Sequence, residues 1–241
     1  MTKNNKVVSK LKMNDGIKLS IIIPCYNEEE VLPLTLEKLT TLSNEWSSRD
    51  DCKRIEFIFV DDGSQDRTAE LLAEATIASQ QFKVIHFSRN FGHQAALLAG
   101  YEFAKGDVIV SLDADLQDPP ELIITMLEKL KGGYDIIYAA RKSRGIDSLF
   151  KRRTADLFYW LMKKLGVEVI HNHADFRMIT RRVLNAFLKF NENNLFIRAT
   201  FPIVGFPSCI VYYDRPERKA GKTKQIKTGG LLSVFCLDSG C

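Results

Sequence analysis

The sequence contains no long hydrophobic run. No window approaches the roughly 18 consecutive apolar residues that suggest a membrane-spanning helix, and the best late candidate, Leu231 to Leu237, is far too short. The N-terminus carries charge but no apolar stretch, so it is not a secretory signal, and we expect residues 1–17 to form a flexible leader. With 45% hydrophobic and 27% charged residues, the chain has the composition of a soluble globular protein with one large core.

Cysteine is sparse and the net charge is small. The five cysteines, at positions 25, 52, 209, 236 and 241, are odd in number and lack C-x-x-C spacing, so they predict reduced thiols in a cytoplasmic setting. A formal net charge of +4 gives no reason to expect a nucleic-acid partner.

Two common phosphate-binding motifs are absent as well. No G-x-G-x-x-G follows the first predicted strand, and no G-x-x-x-x-G-K-[ST] occurs anywhere. A dinucleotide fingerprint and a P-loop are therefore excluded. Carboxylates and a bridging metal remain as the way for this chain to bind a nucleotide diphosphate.

Strand and helix patterns alternate through the first 140 residues. The predicted strands are Leu19–Pro24, Arg54–Val60, Lys83–Phe87, Val108–Leu112 and Ile136–Ala139. A first helix is predicted to start near Val31, and three more span Thr68–Ala78, Gln94–Ala104 and Pro120–Lys131. Asp66 is the predicted N-cap of the helix Thr68–Ala78. Short connections between such elements are typical of right-handed βαβ units. We therefore predict an α/β fold with a Rossmann-like, mostly parallel central sheet flanked by helices.

The later part of the chain is less regular. The predicted basic segments are a loop from Arg141 to Arg153 and the residues 215–227. Between them the pattern predicts an aromatic-rich helix Ala155–Leu165 and a polar loop around His171 and His173. Asp175-Phe176-Arg177 then precedes a predicted helix Arg181–Phe190, which is followed by a predicted strand Cys209–Asp214. A solvated surface explains any one of these charges. Two basic segments on one chain favour a ligand with several phosphates.

Polar residues follow the predicted strands. They are Tyr26-Asn27-Glu28, Asp61-Asp62-Gly63, Ser88-Arg89-Asn90 and Asp113 to Gln117. Since ligands bind beyond the carboxyl ends of strands in open α/β sheets, we expect these segments at one rim.

The acidic stretch Ser111 to Asp118, S-L-D-A-D-L-Q-D, is central to this rim. Asp113, Asp115 and Gln117 occupy alternate positions, and such oxygen ligands suit Mg²⁺ or Mn²⁺ held partly by a substrate phosphate. The alternative is a plain acidic turn that ends at Pro119-Pro120 and starts the next helix.

Seven segments carry a resemblance to a known family. They are I-I-P-C-Y-N-E-E-E (22–30), V-D-D-G-S-Q-D-R-T (60–68), F-S-R-N-F-G-H-Q-A-A (87–96), D-A-D-L-Q-D-P-P-E (113–121), D-S-L-F-K-R (147–152), D-F-R (175–177) and R-K-A-G-K-T-K (218–224). In this order they resemble GT-A, family 2 glycosyltransferases of the branch that includes bactoprenol glucosyltransferases and dolichol-phosphate-mannose synthases. The resemblance implies a catalytic domain over residues 18–224 that moves a sugar, with UDP-glucose favoured, from a nucleotide diphospho-sugar to polyprenyl phosphate.

The resemblance also implies roles for individual residues. The nucleoside would be held by Pro24, Tyr26, Glu28, Val60 and Asp62. The diphosphate would be held by Asp113, Ala114, Asp115 and Gln117, with Mg²⁺ or Mn²⁺ bound to Asp113, Asp115 and Gln117. Other phosphate contacts would come from Arg141, Arg218 and Lys224, the lipid phosphate would be received by Arg141, Lys151 and Arg152, and the catalytic carboxylates would be Asp115 and Asp175.

A phosphate monoester acceptor is already largely dianionic at pH 7, because its second pKa is near 6. It scarcely needs a base. We therefore expect Asp175 to orient a sugar or acceptor group without acting as an obligatory general base, and direct displacement to invert the anomeric centre.

The resemblance stops at residues 225–241, which we expect to be a divergent, truncated tail without the family's transmembrane helices. The basic segments predict peripheral binding to the cytoplasmic face of a membrane. Two alternatives stay open: a GT-A transferase that extends a soluble or cell-surface glycan, which would need a true base, and an inactive protein that binds a nucleotide sugar.

Overall fold

The computed structural model describes residues 16–49, 52–142, 173–190 and 197–214. The strands are β1 Ile17–Cys25, β2 Cys52–Asp61, β3 Phe82–His86, β4 Val108–Ser111, β5 Ile136–Arg141, β6 His173–Thr180 and β7 Ser208–Tyr213. The helices are α1 Leu32–Ser47, α2 Thr68–Ala78, α3 His93–Phe103, α4 Leu122–Lys131, α5 Arg181–Phe187 and α6 Ile197–Ile203. No helix in these ranges is long and apolar enough to cross a membrane.

All seven strands form one mixed sheet in the order β3-β2-β1-β4-β6-β5-β7. The pairs β1·β2, β2·β3, β1·β4 and β5·β7 are parallel, whereas β6 pairs antiparallel with both β4 and β5. The start of β6 therefore lies at the edge where the other strands end. Ser111 is paired with Arg177, which brings Asp175 beyond the end of β4.

Helices cover both faces of the sheet, and alternate strand residues pack on opposite faces. Ile21 and Phe57 pack on one face with residues of α1, α2 and α4. Ile22 and Ile58 pack on the other face with residues of α3, α5 and α6. Burying each such side chain contributes about 1.5–3 kcal/mol relative to leaving it exposed, and apolar cover on both faces explains the near-continuous apolar strands.

The predicted alternation of strands and helices is confirmed over residues 17–141. Two details were wrong. Asp66 does not occupy the N-cap position of α2, which is Arg67; instead the Asp66 carboxylate accepts the Thr68 N–H at 2.9 Å. The residues at His173 belong to strand β6 and not to a polar loop, because pairing with β4 and β5 satisfies their backbone on both sides. The helix predicted to follow Asp175-Phe176-Arg177 is present as α5.

Candidate active site

The loops that follow β2 and β3 are joined by Asp62. One carboxylate oxygen of Asp62 accepts the Phe91 N–H at 2.7 Å and the other accepts the Gly92 N–H at 2.9 Å. Gly63 lies directly against this loop, since a β-carbon at Gly63 would come within 2.4 Å of the Arg89 carbonyl carbon. The first turn of α3 is therefore positioned by the loop after β2.

The loop after β1 is tied to the same region by short polar contacts. The Asn27 N–H donates to the Ser64 hydroxyl at 2.9 Å, and the Asn27 side-chain oxygen accepts the Gln65 N–H at 2.7 Å. The Glu28 N–H donates to the Thr68 hydroxyl at 2.7 Å. These bonds confirm the prediction that the polar segments after the first strands meet at one rim.

The residues expected to hold a nucleoside differ in exposure. Pro24 and Val60 are buried at neighbouring positions of the paired strands β1 and β2, so they form the floor of the rim. Tyr26 and Glu28 are partly exposed above them. Asp62 is buried and already accepts two backbone N–H groups, so its carboxylate shapes the rim loops.

The acidic loop after β4 has an unusual backbone. Leu116 has a φ of 57° and Asn27 a φ of 50°, and these are the non-glycine residues with positive φ in the described part of the chain. Both lie in rim loops. Such conformations are uncommon for non-glycine residues and tend to occur at functional sites. The Asp115 carboxylate accepts the Gln117 N–H at 3.0 Å, which fixes this turn, and the Ala114 carbonyl accepts the Thr35 hydroxyl at 2.7 Å.

Four carboxylates crowd this part of the rim. Burial, as the largest cause, raises the pKa of Asp113 to about 7. His93 lowers this pKa, whereas the nearby carboxylates of Asp118, Asp175 and Asp115 raise it further. The Asp113 side chain is nevertheless 35% exposed. A cation at this position would relieve the mutual repulsion of the carboxylates.

Asp118 is fully buried. Its hydrogen bonds connect the acidic loop to the ends of β5 and β7, at one edge of the sheet. The Tyr213 hydroxyl at the end of β7 donates to Asp118, and Arg141 at the end of β5 donates to the same oxygen at 3.3 Å. Arg141 also donates to the Tyr213 hydroxyl at 3.2 Å. Burial raises the pKa of Asp118. Burial by itself would lower the pKa of Arg141, but the contacts with Asp118 and Tyr213 outweigh it, so the pKa of Arg141 is raised.

Asp175 lies beside the acidic loop, near the start of β6. One carboxylate oxygen accepts a hydrogen bond from the buried Arg177 guanidinium at 2.6 Å, and the other is 3.2 Å from His93 Nε2. His93 Nε2 is also 3.9 Å from a carboxylate oxygen of Asp113. His93 thus lies between the acidic loop and β6.

Sequence reasoning assigned no role to His93, Arg177, Asp118 or Tyr213. His93 and Arg177 stand inside motifs that the resemblance singled out, F-S-R-N-F-G-H and D-F-R, so position in a motif was the available signal. Nothing in the sequence indicated Tyr213, because its contact spans 95 positions. Arg218, Lys224, Lys151 and Arg152 lie outside the described residues, as do the predicted helix 155–165 and the segment 225–241.

The donor set fits a divalent cation that is shared with a substrate. In the described ranges, no group of three or more His, Cys, Asp or Glu side chains is arranged to hold a metal ion. Mg²⁺ typically takes one or two carboxylates and completes its shell with substrate phosphates and water. Asp113 and Asp115, partly exposed in the rim and close to other carboxylates, suit that mode of binding.

A family model described as glycosyl transferase family 2 matches residues 20–188. The chain belongs to this family. The matched region contains the whole described rim except the end of β7. Family 2 membership confirms the resemblance that the sequence motifs carried.

Curated relatives of this family 2 chain include bacterial glycosyltransferases. It is 46% identical to the uncharacterized glycosyltransferase YkoT of Bacillus subtilis, over 86% of this chain and 62% of that protein. It is 42% identical to the uncharacterized glycosyltransferase YkcC of the same organism, over 88% of this chain and 64% of that protein. It is 36% identical to the prophage bactoprenol glucosyl transferase homolog of Escherichia coli, over 86% and 67%. The chain thus spans less than two thirds of the length of YkoT and YkcC.

Solved structures confirm the fold. The mannosyltransferase PcManGT of Pyrobaculum calidifontis, solved with GDP-Man and Mn²⁺, superposes with a TM-score of 0.56 at 18% identity, over 85% of this chain and 59% of that chain. The glucosyl-3-phosphoglycerate synthase of Mycobacterium tuberculosis superposes with a TM-score of 0.57 at 19% identity, over 86% of this chain and 74% of that chain. The family 2 chain therefore has the GT-A α/β fold predicted from its sequence.

Proposed function

We propose that this chain is an inverting, metal-dependent glycosyltransferase that moves a sugar from a nucleotide diphospho-sugar to polyprenyl phosphate. The observation that carries the proposal is the cluster of Asp113, Asp115, Asp118 and Asp175 at the carboxyl edge of a family 2 sheet. The name of the Escherichia coli relative, a bactoprenol glucosyl transferase homolog at 36% identity, supports a polyprenyl acceptor and a glucosyl group as the transferred sugar. We propose UDP-glucose as the donor.

The donor would bind across the ends of β1, β2 and β4. Tyr26 and Glu28 are partly exposed there, above the buried Pro24 and Val60, and Asp62 would act by holding the loops around the nucleoside. Ala114 separates Asp113 from Asp115 in the diphosphate site.

Asp113, Asp115 and Gln117 would hold Mg²⁺ or Mn²⁺ together with the donor phosphates. When bound, the cation would stabilise the negative charge that develops on the departing nucleoside diphosphate. Arg141, held beside the acidic loop by Asp118 and Tyr213, adds a fixed positive charge for the same oxygen atoms. Arg218 and Lys224 are proposed as further phosphate contacts, and Lys151 and Arg152 as lipid-phosphate contacts.

The acceptor phosphate needs no strong base, because its dianion predominates at pH 7. Attack by a phosphate oxygen on the anomeric carbon forms the new C–O bond as the bond to the diphosphate breaks, which inverts that centre. Asp175 is held by Arg177 and His93, and we propose that it orients the reacting groups. We place the reaction at the cytoplasmic face of a membrane, with the protein bound peripherally.

Binding and transfer assays on the purified chain test this proposal. UDP-glucose and GDP-mannose are titrated with and without Mn²⁺ by thermal shift, since a ligand that binds only the folded state raises apparent stability by about 2.7 kcal/mol at 100 times its Kd. Radiolabelled donor is then incubated with a short polyprenyl phosphate. Cation-dependent donor binding with lipid-dependent transfer supports the proposal; transfer to a glycan alone, or donor binding without transfer, contradicts it.

Two variants test the metal role. Asp113→Asn and Asp115→Asn should each weaken Mn²⁺-dependent donor binding at least tenfold, while binding without Mn²⁺ changes little. The control is Glu74→Gln, which changes an exposed carboxylate on α2 and should leave both affinities within twofold. Equal donor affinity in all three variants would contradict a metal role for the acidic loop.

A further inference from the structure

We propose that Thr35 on α1 is a positioning residue for the diphosphate site, because its hydroxyl holds the backbone between Asp113 and Asp115. The inference rests on the proposed function and deepens it. It adds a residue that acts through the acidic loop and does not itself touch the donor. Thr35 lies outside all seven motif segments that carry the family resemblance.

The first observation is a polar residue on the buried face of α1. Leu32, Thr35 and Leu39 are buried at helical spacing, and Leu32 and Leu39 pack in the same apolar cluster as Ala114. A buried hydroxyl costs free energy unless it forms a hydrogen bond. Thr35 therefore needs a partner, which a valine of nearly the same shape would not.

The second observation is the partner that Thr35 has. Its hydroxyl lies 2.7 Å from the Ala114 carbonyl oxygen and 3.2 Å from the Val31 carbonyl oxygen. A hydroxyl has one proton to donate, and the Val31 carbonyl already accepts the Thr35 backbone N–H at 3.1 Å. Both the shorter distance and the occupied Val31 carbonyl favour donation to Ala114. This hydrogen bond joins residues 79 positions apart.

The third observation is the alternation of burial along the acidic loop. Leu112 and Ala114 are buried in the apolar cluster, whereas Asp113 and Asp115 are partly exposed. The Leu112 N–H donates to a carbonyl of β1 at 2.9 Å, so the first inward residue is held by the sheet. The hydroxyl of Thr35 holds the second. With both inward residues fixed, the two aspartates are kept on the exposed side of the loop.

The peptide group that Thr35 holds leads directly into the strained turn. The Ala114 carbonyl and the Asp115 N–H belong to one planar unit, so a fixed carbonyl also sets the direction of the Asp115 backbone. The Asp115 carboxylate accepts the Gln117 N–H at 3.0 Å, and Leu116 between them has a φ of 57°. Such a conformation persists only where surrounding contacts hold it. Loss of the Thr35 hydroxyl should therefore loosen this turn.

Two substitutions separate the hydroxyl from the shape of the side chain. Thr35→Val keeps the branched shape and has a similar helix propensity but cannot donate, whereas Thr35→Ser can. Thr40→Val and Thr41→Val are matched controls on the same helix. Their hydroxyls donate to the carbonyls of Leu36 and Glu37, four positions earlier, and both threonines are exposed. An effect of valine on the helix alone would appear in these controls as well.

Donor titrations measure the effect on the site. We expect Thr35→Val to weaken Mn²⁺-dependent binding of UDP-glucose about tenfold, a loss of about 1.4 kcal/mol, because a site that shares a cation with a diphosphate depends on preorganised oxygen ligands. Binding without Mn²⁺ should change less than about twofold. Thr35→Ser should stay within about threefold of the unaltered chain, and both controls within about twofold.

These titrations are made at a temperature at which every variant is folded, so a merely destabilised protein keeps its affinity. Equal Mn²⁺-dependent affinity in Thr35→Val and the unaltered chain would overturn the inference, and so would a serine variant as weak as the valine variant. If Thr35→Val does not fold, Thr35→Ala takes its place. Alanine and serine differ by the hydroxyl alone, so equal affinities of these two variants would also overturn the inference.

Amide hydrogen exchange without ligand separates this inference from the proposed function. In the full chain, exchange at residues 113–117 should be about fivefold faster or more in Thr35→Val than in Thr35→Ser, and unchanged in the two controls. Unchanged exchange in Thr35→Val would overturn the inference, even in a chain that transfers sugar. A chain whose loop loosens in this way, but which shows no Mn²⁺-dependent binding of UDP-glucose or GDP-mannose, would instead contradict the proposed function.

Discussion

At the scale of single residues, the rim depends on backbone positions that tolerate little substitution. Gly63 has a φ of +68° and lies against the Arg89 backbone, and Gly92 has a φ of +97° with open space around it. Glycine adopts positive φ at little cost, whereas other residues pay about 1–3 kcal/mol for strained backbone of this kind. The two glycines therefore differ in steric freedom but not in their need for positive φ.

We expect Gly63→Ala to destabilise the protein by about 1–3 kcal/mol more than Gly92→Ala, because only at Gly63 does a methyl group also clash with neighbouring backbone. It should also weaken donor binding, since the displaced loop contains the residues that Asp62 holds. Urea denaturation of both variants measures the difference. Equal destabilisation by the two alanines would show that the loop moves aside freely.

At the scale of elements, the acidic loop is connected to strands that are remote in sequence. Asp118 follows β4, Arg141 ends β5 and Tyr213 ends β7, and the three side chains form one hydrogen-bonded group in which Asp118 is fully buried. Because β5 and β7 are parallel neighbours with Arg141 opposite Tyr213, sheet register alone brings the two donors to the same place.

Removing the Tyr213 hydroxyl tests this connection. Tyr213→Phe should lower the free energy of unfolding by roughly 1–3 kcal/mol, because the buried Asp118 carboxylate loses a donor. Tyr212→Phe is the matched control: Tyr212 is 60% exposed, and the change should cost less than about 0.5 kcal/mol. Chemical denaturation of both proteins gives the comparison, and a Tyr213→Phe protein as stable as the control would exclude a structural role for this contact.

At the scale of the whole molecule, polar side chains also connect the strands at the end of the sheet opposite the rim. At the end opposite the rim, Glu56 on β2 accepts hydrogen bonds from Ser20 on β1, Lys83 on β3 and the Lys105 backbone before β4. Burial raises the pKa of Glu56, but these hydrogen bonds and the Lys83 charge outweigh it, so the net shift is downward. A carboxylate with a lowered pKa stabilises the fold above its unfolded pKa and loses that contribution as pH falls.

Glu56→Gln should therefore destabilise the protein by roughly 1–3 kcal/mol at pH 7. The difference from the unaltered chain should shrink as the pH falls below about 4.5 towards the lowered folded-state pKa, where Glu56 becomes protonated in both folded and unfolded states. Urea denaturation across this range measures it. The exposed Glu74→Gln serves as control, and a Glu56→Gln deficit that is independent of pH would show that its charge contributes nothing.

The sequence by itself determined the alternation of strands and helices and the gathering of polar loops at one edge, because apolar periodicity and strand-end polarity are local patterns. The family followed from the resemblance of its seven motif segments. The sequence did not reveal β6, since the buried charges Asp175 and Arg177 interrupt the apolar run that marks a central strand. Only the tertiary structure decided that β6 runs antiparallel, which carries Asp175 to the rim, and that His93 is the exposed member of their pair. Contacts such as Asp118 with Tyr213 join residues 95 positions apart, and sheet order, which local pattern does not encode, makes them neighbours.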